Sequence, residues 1–386
     1  MRNAVVAHGG GPTSVINASL AGLIEGCRES NRFDFLYGAR FGVRGLLDEA
    51  WIDLLAKDPK LIEAIGRTPG SVLGSSRQKL ADSDYDRVLE LFDAHKIRCF
   101  FYTGGNGSMD TALQVSRLAV KAGYELQVIG IPKTIDNDLC ETDHTPGYPS
   151  TAHFFAVAAC DVGEDNRSLP SPISVLEVLG RNAGWVAAAT ALARTHDDDA
   201  PHLIYFPEKP VSLERIATDV ERVYRRLGRA VIAVCEGQLD ETGQPFGADV
   251  DRAESSVHRL AANLGHSLAR SLSEKLNLRA RSEKPGLFGR CCGPLASQVD
   301  REEAWHCGRA AVQAAADGAS RVMVALRRDS TSPYRSSTFL VPLEEVARRE
   351  RLVPLEWISA DANNVTPPLL DYLSPLVPRV ESYPRF

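Results

Sequence analysis

Residues 128–139 read VIGIPKTIDNDL, and this stretch predicts both a fold class and a chemistry. A run of four apolar residues predicts a buried β-strand, and a proline then starts a loop. That loop carries Lys133, Thr134, Asp136 and Asp138 within six residues. A carboxylate near an ammonium group suits removal of a proton from a hydroxyl beside a bound phosphate, because the cation offsets the charge of the transferred group. The loop therefore indicates phosphoryl transfer, although an Asx-rich surface turn is the simpler alternative for such a cluster.

Length, charge and cysteine usage exclude several classes of protein. The 386 residues, 44% of them hydrophobic, predict two domains or lobes. A net charge of −6 and a pI near 5.9 argue against a nucleic-acid partner. Eight cysteines without a CxxC pair argue against zinc or a disulfide framework and favour a reducing cytoplasm. No apolar run approaches the roughly 20 residues of a membrane helix, so no membrane association is expected.

Three further strand–loop segments offer phosphate-binding residues. Residues 4–17, AVVAHGGGPTSVIN, and residues 97–112, IRCFFYTGGNGSMDTA, each place glycines between an apolar strand and a predicted helix. Backbone N–H groups and a helix N-terminus at such a turn favour an anion. Residues 70–77, GSVLGSSR, end in an arginine suited to bridging two phosphates. The candidate donor-binding residues are Gly10, Gly11, Arg77, Gly105, Asn106, Gly107 and Ser108.

Later segments repeat the pattern and add candidates for an acceptor site. Residues 172–185, PISVLEVLGRNAGW, and residues 230–238, AVIAVCEGQ, are apolar strands that end in polar residues. An arginine at a strand end can stabilise charge on a transferred phosphoryl group, and a glutamate can accept hydrogen bonds from sugar hydroxyls. A Pro-Gly turn lies between two arginines nine residues apart, which suit a phosphomonoester. The candidates are Leu179, Gly180, Arg181, Glu236, Arg281 and Arg290.

Strands that alternate with helices and end in functional residues predict an α/β protein with mainly parallel, doubly wound sheets in two lobes. Ligands are expected at the carboxyl ends of the strands. Nearer the C-terminus, the sequence predicts a long helix over residues 297–318, a strand over residues 322–326 and a charged helix over residues 341–358.

PKTIDND closely resembles the catalytic loop of the phosphofructokinase family, and this form with a lysine resembles the pyrophosphate-using branch and some of its ATP-using relatives. VLGR resembles a second family motif, EVMGR, and the resemblance covers essentially the whole chain. It implies a phosphofructokinase-like fold and a glycolytic kinase that phosphorylates the 1-hydroxyl of fructose 6-phosphate. Asp136 would be the base, Thr134 and Asp138 would orient the loop, and Lys133 and Arg181 would stabilise the transition state.

The resemblance also implies a magnesium ion and two lobes. Asn106 stands where many members carry a magnesium-binding aspartate, and an amide oxygen can also coordinate Mg²⁺. Residues 1–148 with roughly 288–345 would bind the donor, pyrophosphate or ATP. Residues 149–287 with 346–386 would bind the sugar phosphate. By analogy the chain would be a cytoplasmic homodimer, with a tetramer as the alternative.

Two positions disagree about the donor. Many pyrophosphate-using members have aspartate where Gly107 stands here, and its carboxylate would repel the α-phosphate of a nucleotide. Gly107 leaves space for ATP, whereas Lys133, in place of a glycine common in ATP-using members, suits pyrophosphate. The rest of the chain looks more like the pyrophosphate group, so pyrophosphate is favoured and an ATP-dependent 6-phosphofructokinase is the alternative.

Three departures from the family pattern concern the acceptor. Leu179 replaces a methionine, Leu287 replaces a phosphate-contacting histidine of many ATP-using members, and Pro172 aligns with an arginine that reaches a neighbouring subunit. These leave open a kinase for another sugar phosphate, such as sedoheptulose 7-phosphate. A non-catalytic sugar-phosphate sensor is a further alternative, which the intact Asp136 and Arg181 disfavour.

Overall fold

The computed structural model describes residues 3–169, 172–244, 246 and 263–384. It divides into two compact units. Unit 1 comprises residues 1–150 and 290–351, and unit 2 comprises residues 151–289 and 352–386. The sequence predicted boundaries after residues 148, 287 and 345, and the observed ones follow residues 150, 289 and 351, two, two and six residues later. The assignment of donor and acceptor to the two units stays a prediction.

Unit 1 contains a seven-stranded, mainly parallel sheet in the order β11-β10-β5-β4-β1-β2-β3. The pairs β2–β3 and β10–β11 are antiparallel, and the others are parallel. The strands are β1 Asn3–His8, β2 Leu36–Ala39, β3 Trp51–Asp53, β4 Ile97–Gly104, β5 Gln127–Pro132, β10 Val322–Thr331 and β11 Tyr334–Pro342. β1 is buried along its whole length and β4 and β5 along nearly all of theirs, which accounts for their continuous apolar sequences.

Helices cover both faces of this sheet, as a doubly wound fold requires. Those within unit 1 are α1 Ile16–Ser30, α2 Val43–Leu47, α3 Pro59–Gly66, α4 Asp82–Ala94, α5 Asn106–Lys121, α10 Gln298–Ala316 and α11 Leu343–Val346. One core packs α4, α5 and α11 against the sheet, and a second packs α1, α3 and α10 against it. β4 contributes alternate residues to each, Phe100 to the first core and Phe101 to the second.

Unit 2 contains a four-stranded parallel sheet in the order β7-β8-β6-β9. Its strands are β6 Ile173–Val178, β7 Leu203–Tyr205, β8 Ala230–Cys235 and β9 Ala280–Glu283. Helices α7 Trp185–Ala189, α8 Leu213–Leu227, α9 Leu264–Leu276 and α12 Pro367–Leu373 accompany them, and α6 runs over Tyr148–Ser168. α8 begins where the Ser212 hydroxyl accepts a hydrogen bond from the Arg215 N–H and ends at Gly228, whose φ is 68°. The α/β fold with two mainly parallel sheets is confirmed.

Two predictions near the C-terminus have different outcomes. The helix expected over residues 297–318 is present as α10, and Ser297 caps its N-terminus by accepting a hydrogen bond from the Asp300 N–H. The helix expected over residues 341–358 is wrong: α11 has four residues, and a 3₁₀ turn follows only at Leu355–Trp357. Arg348 has a φ of 63°, which interrupts a helix, and the backbone of the next residues makes hydrogen bonds within the site described below. Among the described residues, no helix is both long and apolar enough to cross a membrane.

Candidate active site

Lys133 lies at the end of β5 with its ammonium group buried. Its backbone N–H donates to the carbonyl of Gly104, 3.0 Å away, which joins the loop after β5 to the glycine loop after β4. Its Nζ donates to the carbonyl of Gly11, 2.8 Å away. Burial lowers the pKa of Lys133 to about 8; Asp136 and Asp138 partly oppose this, while Arg290 and Arg77 add to it. An ammonium group is therefore held among two carboxylates and two guanidinium groups.

The two carboxylates of the loop have different surroundings. The backbone N–H of Asp136 donates to Thr134 Oγ1 at 3.1 Å, so the hydroxyl fixes the backbone that carries the predicted base. Burial raises the pKa of Asp138 to about 7, and the charge of Asp136 adds to the shift. Asp138 Oδ1 is buried and has no hydrogen-bond partner among the residues the structure describes. Asn137, between them, has a φ of 55°, a conformation that asparagine tolerates.

The glycine loop GGNGS ends at the N-terminus of a helix. α5 begins at Asn106, directly after Gly105. The Ser108 N–H donates to the Gly105 carbonyl, so the N–H groups of Asn106 and Gly107 are the ones at this N-terminus without a described backbone partner. A Cβ on Gly104 would lie 2.1 Å from Ser108 Oγ, so glycine is required there for Ser108 to pack. A Cβ on Gly107 would meet no described atom within 4 Å. The space expected beside Gly107 is therefore present.

The glycine triplet after β1 lies beside the segment that carries Arg77. The Gly10 N–H donates to the carbonyl of Ser76 at 2.9 Å, and Ser75 Oγ donates to the carbonyl of Gly10 at 2.7 Å. Gly10 has a φ of 79°, which glycine adopts without strain. A Cβ on Gly11 would lie 3.3 Å from the Arg290 guanidinium carbon. The helix predicted after the triplet is present as α1, which begins at Ile16.

Asn106 and Asp138 are joined through one backbone segment, residues 349–351. The Asn106 amide group donates to the carbonyl of Arg349, and the Arg351 N–H donates to the carbonyl of Asp138 at 2.8 Å. Asn106 Oδ1 is buried and, within the described part of the chain, accepts no hydrogen bond. Two buried oxygens without donors, Asn106 Oδ1 and Asp138 Oδ1, are the ligand type that Mg²⁺ prefers. No described group of three or more His, Cys, Asp or Glu side chains could hold a metal ion.

In unit 2, the ends of β6 and β8 bring Leu179, Gly180, Arg181 and Glu236 together. The Glu236 N–H donates to the carbonyl of Val178 at 2.9 Å. The following glycine fits closely, because a Cβ on Gly237 would lie 1.6 Å from the carbonyl oxygen of Arg181. The Arg181 φ of 50° and the Gly180 φ of 137° form a sharp turn after β6. These residues therefore stand at the carboxyl edge of the sheet, as expected.

Arg281 is not brought together with these residues. In the parallel pairing of β9 with β6, Arg281 lies opposite Ser174, at the amino end of β6. Leu179 follows five residues later, roughly 17 Å away along an extended strand. Arg281 instead lines an open cavity of about 760 Å³ between β9 and α9. Arg290 belongs to unit 1, beside Gly11. The spacing in the sequence did not indicate the position of Arg281 at the amino end of the sheet.

The family model of phosphofructokinase matches residues 3–315. The chain belongs to the phosphofructokinase family. It is 40% identical over 382 residues to pyrophosphate–fructose 6-phosphate 1-phosphotransferase of Rhodospirillum rubrum, covering 97% of this chain and 94% of that protein. It is 33% identical to a sulfofructose kinase of Alkalicoccus urumqiensis, covering 92% and 91%. The crystal structure of pyrophosphate-dependent phosphofructokinase from Marinobacter aquaeolei is similar, with 35% identity, a TM-score of 0.89 and coverage of 100% and 94%.

Two histidines of this phosphofructokinase family member were missed by the sequence analysis. His8, before the glycine triplet, is buried with Nδ1 2.7 Å from Ser71 Oγ. Burial, and then the charge of Lys133, lowers the pKa of His8 to about 3, so its ring is neutral. His144, eight residues after Asp136, is also buried. The sequence offered one signal for each: His8 stands at the end of an apolar strand, and His144 follows the catalytic loop.

Proposed function

We propose that this chain transfers a phosphoryl group from pyrophosphate to the 1-hydroxyl of fructose 6-phosphate, giving fructose 1,6-bisphosphate and orthophosphate. The observation that carries the proposal is the buried ammonium group of Lys133, 2.8 Å from the carbonyl of Gly11, in the loop that also carries Asp136. A preorganised point charge suits a small donor of high charge density. The names of the Rhodospirillum and Marinobacter relatives, both pyrophosphate-dependent, support this donor.

The transfer needs one base and several cations. Asp136 accepts the proton of the 1-hydroxyl while the oxygen of that hydroxyl forms a bond to the terminal phosphorus of pyrophosphate. The bond from that phosphorus to the bridging oxygen of pyrophosphate breaks, and orthophosphate leaves with the electron pair. Lys133 and Arg77 bind the charge of the donor, together with the N–H groups of the Gly105–Ser108 loop. Thr134 and Asp138 orient the backbone and side chain of the base.

The acceptor is assigned to the turn after β6 and the end of β8. Leu179 and Gly180 pack against the sugar, Glu236 accepts hydrogen bonds from its hydroxyls, and Arg181 binds a phosphoryl oxygen. Arg281 and Arg290 keep their proposed role at the terminal phosphate of the acceptor. Because Arg281 stands at the amino end of β9, that role needs its own test: R281A should raise KM for fructose 6-phosphate at least tenfold and leave KM for pyrophosphate within twofold.

Magnesium is proposed as the cofactor, and the residues present fit it. Asn106 Oδ1 would hold the ion, with Asp138 Oδ1 as the second buried oxygen lacking a described partner. When bound, Mg²⁺ neutralises part of the charge of the donor phosphates. Asn106→Ala removes the amide oxygen and is expected to raise the Mg²⁺ concentration needed for half-maximal rate about tenfold. An unchanged requirement would remove Asn106 from the site.

The proposed donor is tested by initial rates with fructose 6-phosphate and Mg²⁺, comparing pyrophosphate with ATP at equal concentrations. A rate with pyrophosphate alone is expected. A rate with ATP alone would mean that the space beside Gly107 decides the donor, and the ATP-dependent alternative would replace the proposal. No rate with either donor would contradict the proposed acceptor.

The base is tested by Asp136→Asn, which keeps the shape of the side chain and removes its proton-accepting charge. We expect kcat to fall by about 10² to 10⁴, the range for loss of a general base. The matched control is Asp86→Asn, at an exposed position of α4. Turnover by folded D136N within tenfold of the unmodified chain would reject Asp136 as the base.

A second candidate is a kinase for another acceptor, such as sedoheptulose 7-phosphate. It is favoured by Leu287, which is 67% exposed where many members carry a phosphate-contacting histidine, and by the name of the Alkalicoccus relative. Rates with fructose 6-phosphate, sedoheptulose 7-phosphate and sulfofructose decide between them. A higher kcat/KM for either of the last two would replace the first proposal, and any detectable product excludes a non-catalytic sensor.

The cytoplasmic location and the homodimer, with a tetramer as the alternative, are also proposals. The homodimer is tested by light scattering during gel filtration. Twice the mass of the 42.0 kDa chain is expected. A mass of one or four chains would contradict the dimer.

A further inference from the structure

The segment after the catalytic loop, residues 142–145, is held against the β10–β11 hairpin and α10. Thr142 Oγ1 accepts a hydrogen bond from the Leu326 N–H at 2.9 Å, and the Asp143 N–H donates to the carbonyl of Leu326 at 2.8 Å. The side chains of residues 143 and 144 then enter a buried polar cluster. This cluster lies outside the residues assigned to donor or acceptor.

His144 is the centre of this cluster, and its side chain has no solvent exposure. Its Nδ1 lies 2.8 Å from Asp143 Oδ2 and its Nε2 lies 2.6 Å from Glu303 Oε2. Ionised carboxylates only accept hydrogen bonds, so both ring nitrogens must carry protons. Burial by itself lowers the pKa of His144, but the charge of Glu303 and the two hydrogen bonds outweigh it and raise the pKa to about 9.

Both carboxylates have further partners, so the cluster is closed. Glu303 Oε1 accepts hydrogen bonds from the Tyr334 hydroxyl and from Ser336 Oγ, each 2.6 Å away. Asp143 Oδ2 also pairs with the Arg328 guanidinium, 3.0 Å away. The titratable and charged groups that face His144 or its two carboxylates are Asp143 on its own segment, Arg328 on β10, Tyr334 on β11, and Asp300, Glu303 and Cys307 on α10. The Arg351 guanidinium group also contacts this segment, donating to the carbonyls of Thr142 and Asp143.

Thr145, the residue after His144, connects this cluster to the catalytic loop through two hydrogen bonds. The Thr145 N–H donates to Asn137 Oδ1 at 3.1 Å, and Thr145 Oγ1 donates to the carbonyl of Thr134 at 3.0 Å. The Thr134 N–H donates in turn to the carbonyl of Pro146. Residues on both sides of Asp136 are therefore hydrogen-bonded to the residues that directly follow His144.

We propose that His144 is a positioning residue for phosphoryl transfer: its hydrogen bonds to Asp143 and Glu303 hold residues 142–145 in place, and these hold the loop that carries Asp136. The proposal rests on the proposed function. It predicts a loss in the chemical step and not in substrate binding, since a small displacement of a base is costly. Lys133 of the same loop is held separately by its hydrogen bonds to Gly104 and Gly11, and the other groups assigned to the phosphates lie outside this loop.

The first test is His144→Gln, with His306→Gln as control. His306 lies on α10 like Glu303, but its side chain is exposed. We expect H144Q to lower kcat at least tenfold with KM for donor and acceptor within twofold, and H306Q to change neither. An unchanged kcat in folded H144Q, or a loss confined to KM, would overturn the proposal.

The second test does not depend on H144Q folding. Glu303→Gln preserves the shape of the partner but removes its charge, so the ring of His144 loses its proton at lower pH. In E303Q the alkaline decline of kcat should begin about one pH unit lower than in the unmodified chain. The pKa of Lys133 depends on Asp136, Asp138, Arg290 and Arg77 and not on Glu303, so the substitution should not shift a decline caused by Lys133. An unshifted decline would overturn the proposal.

NMR of ¹⁵N-labelled histidine provides a readout besides activity. Both ring nitrogens of His144 should be protonated in most molecules of the unmodified chain at pH 8, whereas roughly half of the E303Q molecules should have a neutral ring at the same pH. A neutral ring in the unmodified chain would overturn the proposal. Absence of turnover with any donor and acceptor would instead overturn the proposed function, so the two failures are distinguishable.

Discussion

Two features of Lys133 bear on anion binding: its ammonium group is buried, and it donates a hydrogen bond to a backbone carbonyl. Burial lowers its pKa to about 8, while a hydrogen bond to the Gly11 carbonyl uses one of its three donors. The other donors remain for a phosphate, whose charge raises the pKa again when it binds. A buried ammonium group therefore binds an anion strongly because water does not compete with it.

The ionisation of Lys133 should set a pH dependence of donor binding. The free enzyme loses the ammonium charge as pH rises through about 8, so kcat/KM for pyrophosphate should decline above pH 8. Lys133→Met should lower kcat/KM by about 10² to 10³, the cost of one preorganised donor, and should abolish the inflection near pH 8. An inflection that persists in K133M would belong to another group.

Gly107 allows a direct test of the choice of donor. No described atom lies within 4 Å of an added Cβ, so Gly107→Asp should fold normally. Its carboxylate should lower any rate with ATP at least tenfold and leave the rate with pyrophosphate within threefold. Gly107→Ala is the control, because it adds the Cβ without charge. Equal effects of G107D and G107A on the ATP rate would show that space and not charge is decisive.

At the scale of elements, one buried carboxylate connects a strand to the helix and the loop beside it. Glu177, near the end of β6, is buried and accepts a hydrogen bond from the Gly265 N–H at the start of α9, 2.7 Å away. It also pairs with Lys284, whose Nζ lies 2.7 Å away and whose side chain is 43% exposed. One carboxylate thus joins β6, α9 and the segment after β9.

Replacing Glu177 should destabilise unit 2. Glu177→Ala leaves the Gly265 N–H and a partly buried ammonium group without their partner, and should lower the free energy of unfolding by about 2 to 4 kcal/mol. Lys284→Ala is the matched control, and should cost about 1 kcal/mol or less because its partner keeps the N–H donor and the lysine is partly solvated. Urea unfolding measures both, and equal costs would contradict this division.

At the scale of the whole molecule, buried ionisable groups make stability depend on pH in opposite directions. The pKa of His144 is raised from 6.5 to about 9 on folding, so its contribution is complete below pH 6.5 and is lost as pH rises through 9. The pKa of Lys133 is lowered from 10.5 to about 8, so its cost is relieved as pH rises from 8 to 10.5. The two changes partly cancel above pH 8.

The contribution of His144 to stability can be separated from that of Lys133 by comparing the unmodified chain with H144Q. The stability of the unmodified chain minus that of H144Q should fall by about 3 kcal/mol between pH 6.5 and pH 10, at roughly 1.4 kcal/mol per pKa unit. Lys133 is common to both and cancels. Urea unfolding of the two proteins at pH 6.5, 8 and 10 measures this difference. A difference that does not vary with pH would mean that His144 is not held as an imidazolium.

Local sequence determined much of the fold and the position of several residues of the proposed donor site. Short apolar runs bounded by glycine or proline, such as β4 and β5, predict buried strands, and the loops at their ends place Gly105 and Lys133 at one sheet edge because parallel strands share their carboxyl ends. The α/β class, α10 and the family followed from such patterns. The helix expected over residues 341–358 failed because its helical propensity was outweighed by backbone hydrogen bonds to Asn106 and Asp138, far away in sequence.

Tertiary structure alone decided which distant residues meet. The register of β9 places Arg281 beside Ser174 at the amino end of the sheet, and strand register depends on pairing across long loops, which spacing along the chain does not encode. Likewise His144 meets Glu303, 159 residues away, only because α10 packs beside the hairpin that follows it. Sequence determines the local conformation and chemistry of each loop; the partners of its buried charges are set by packing between elements.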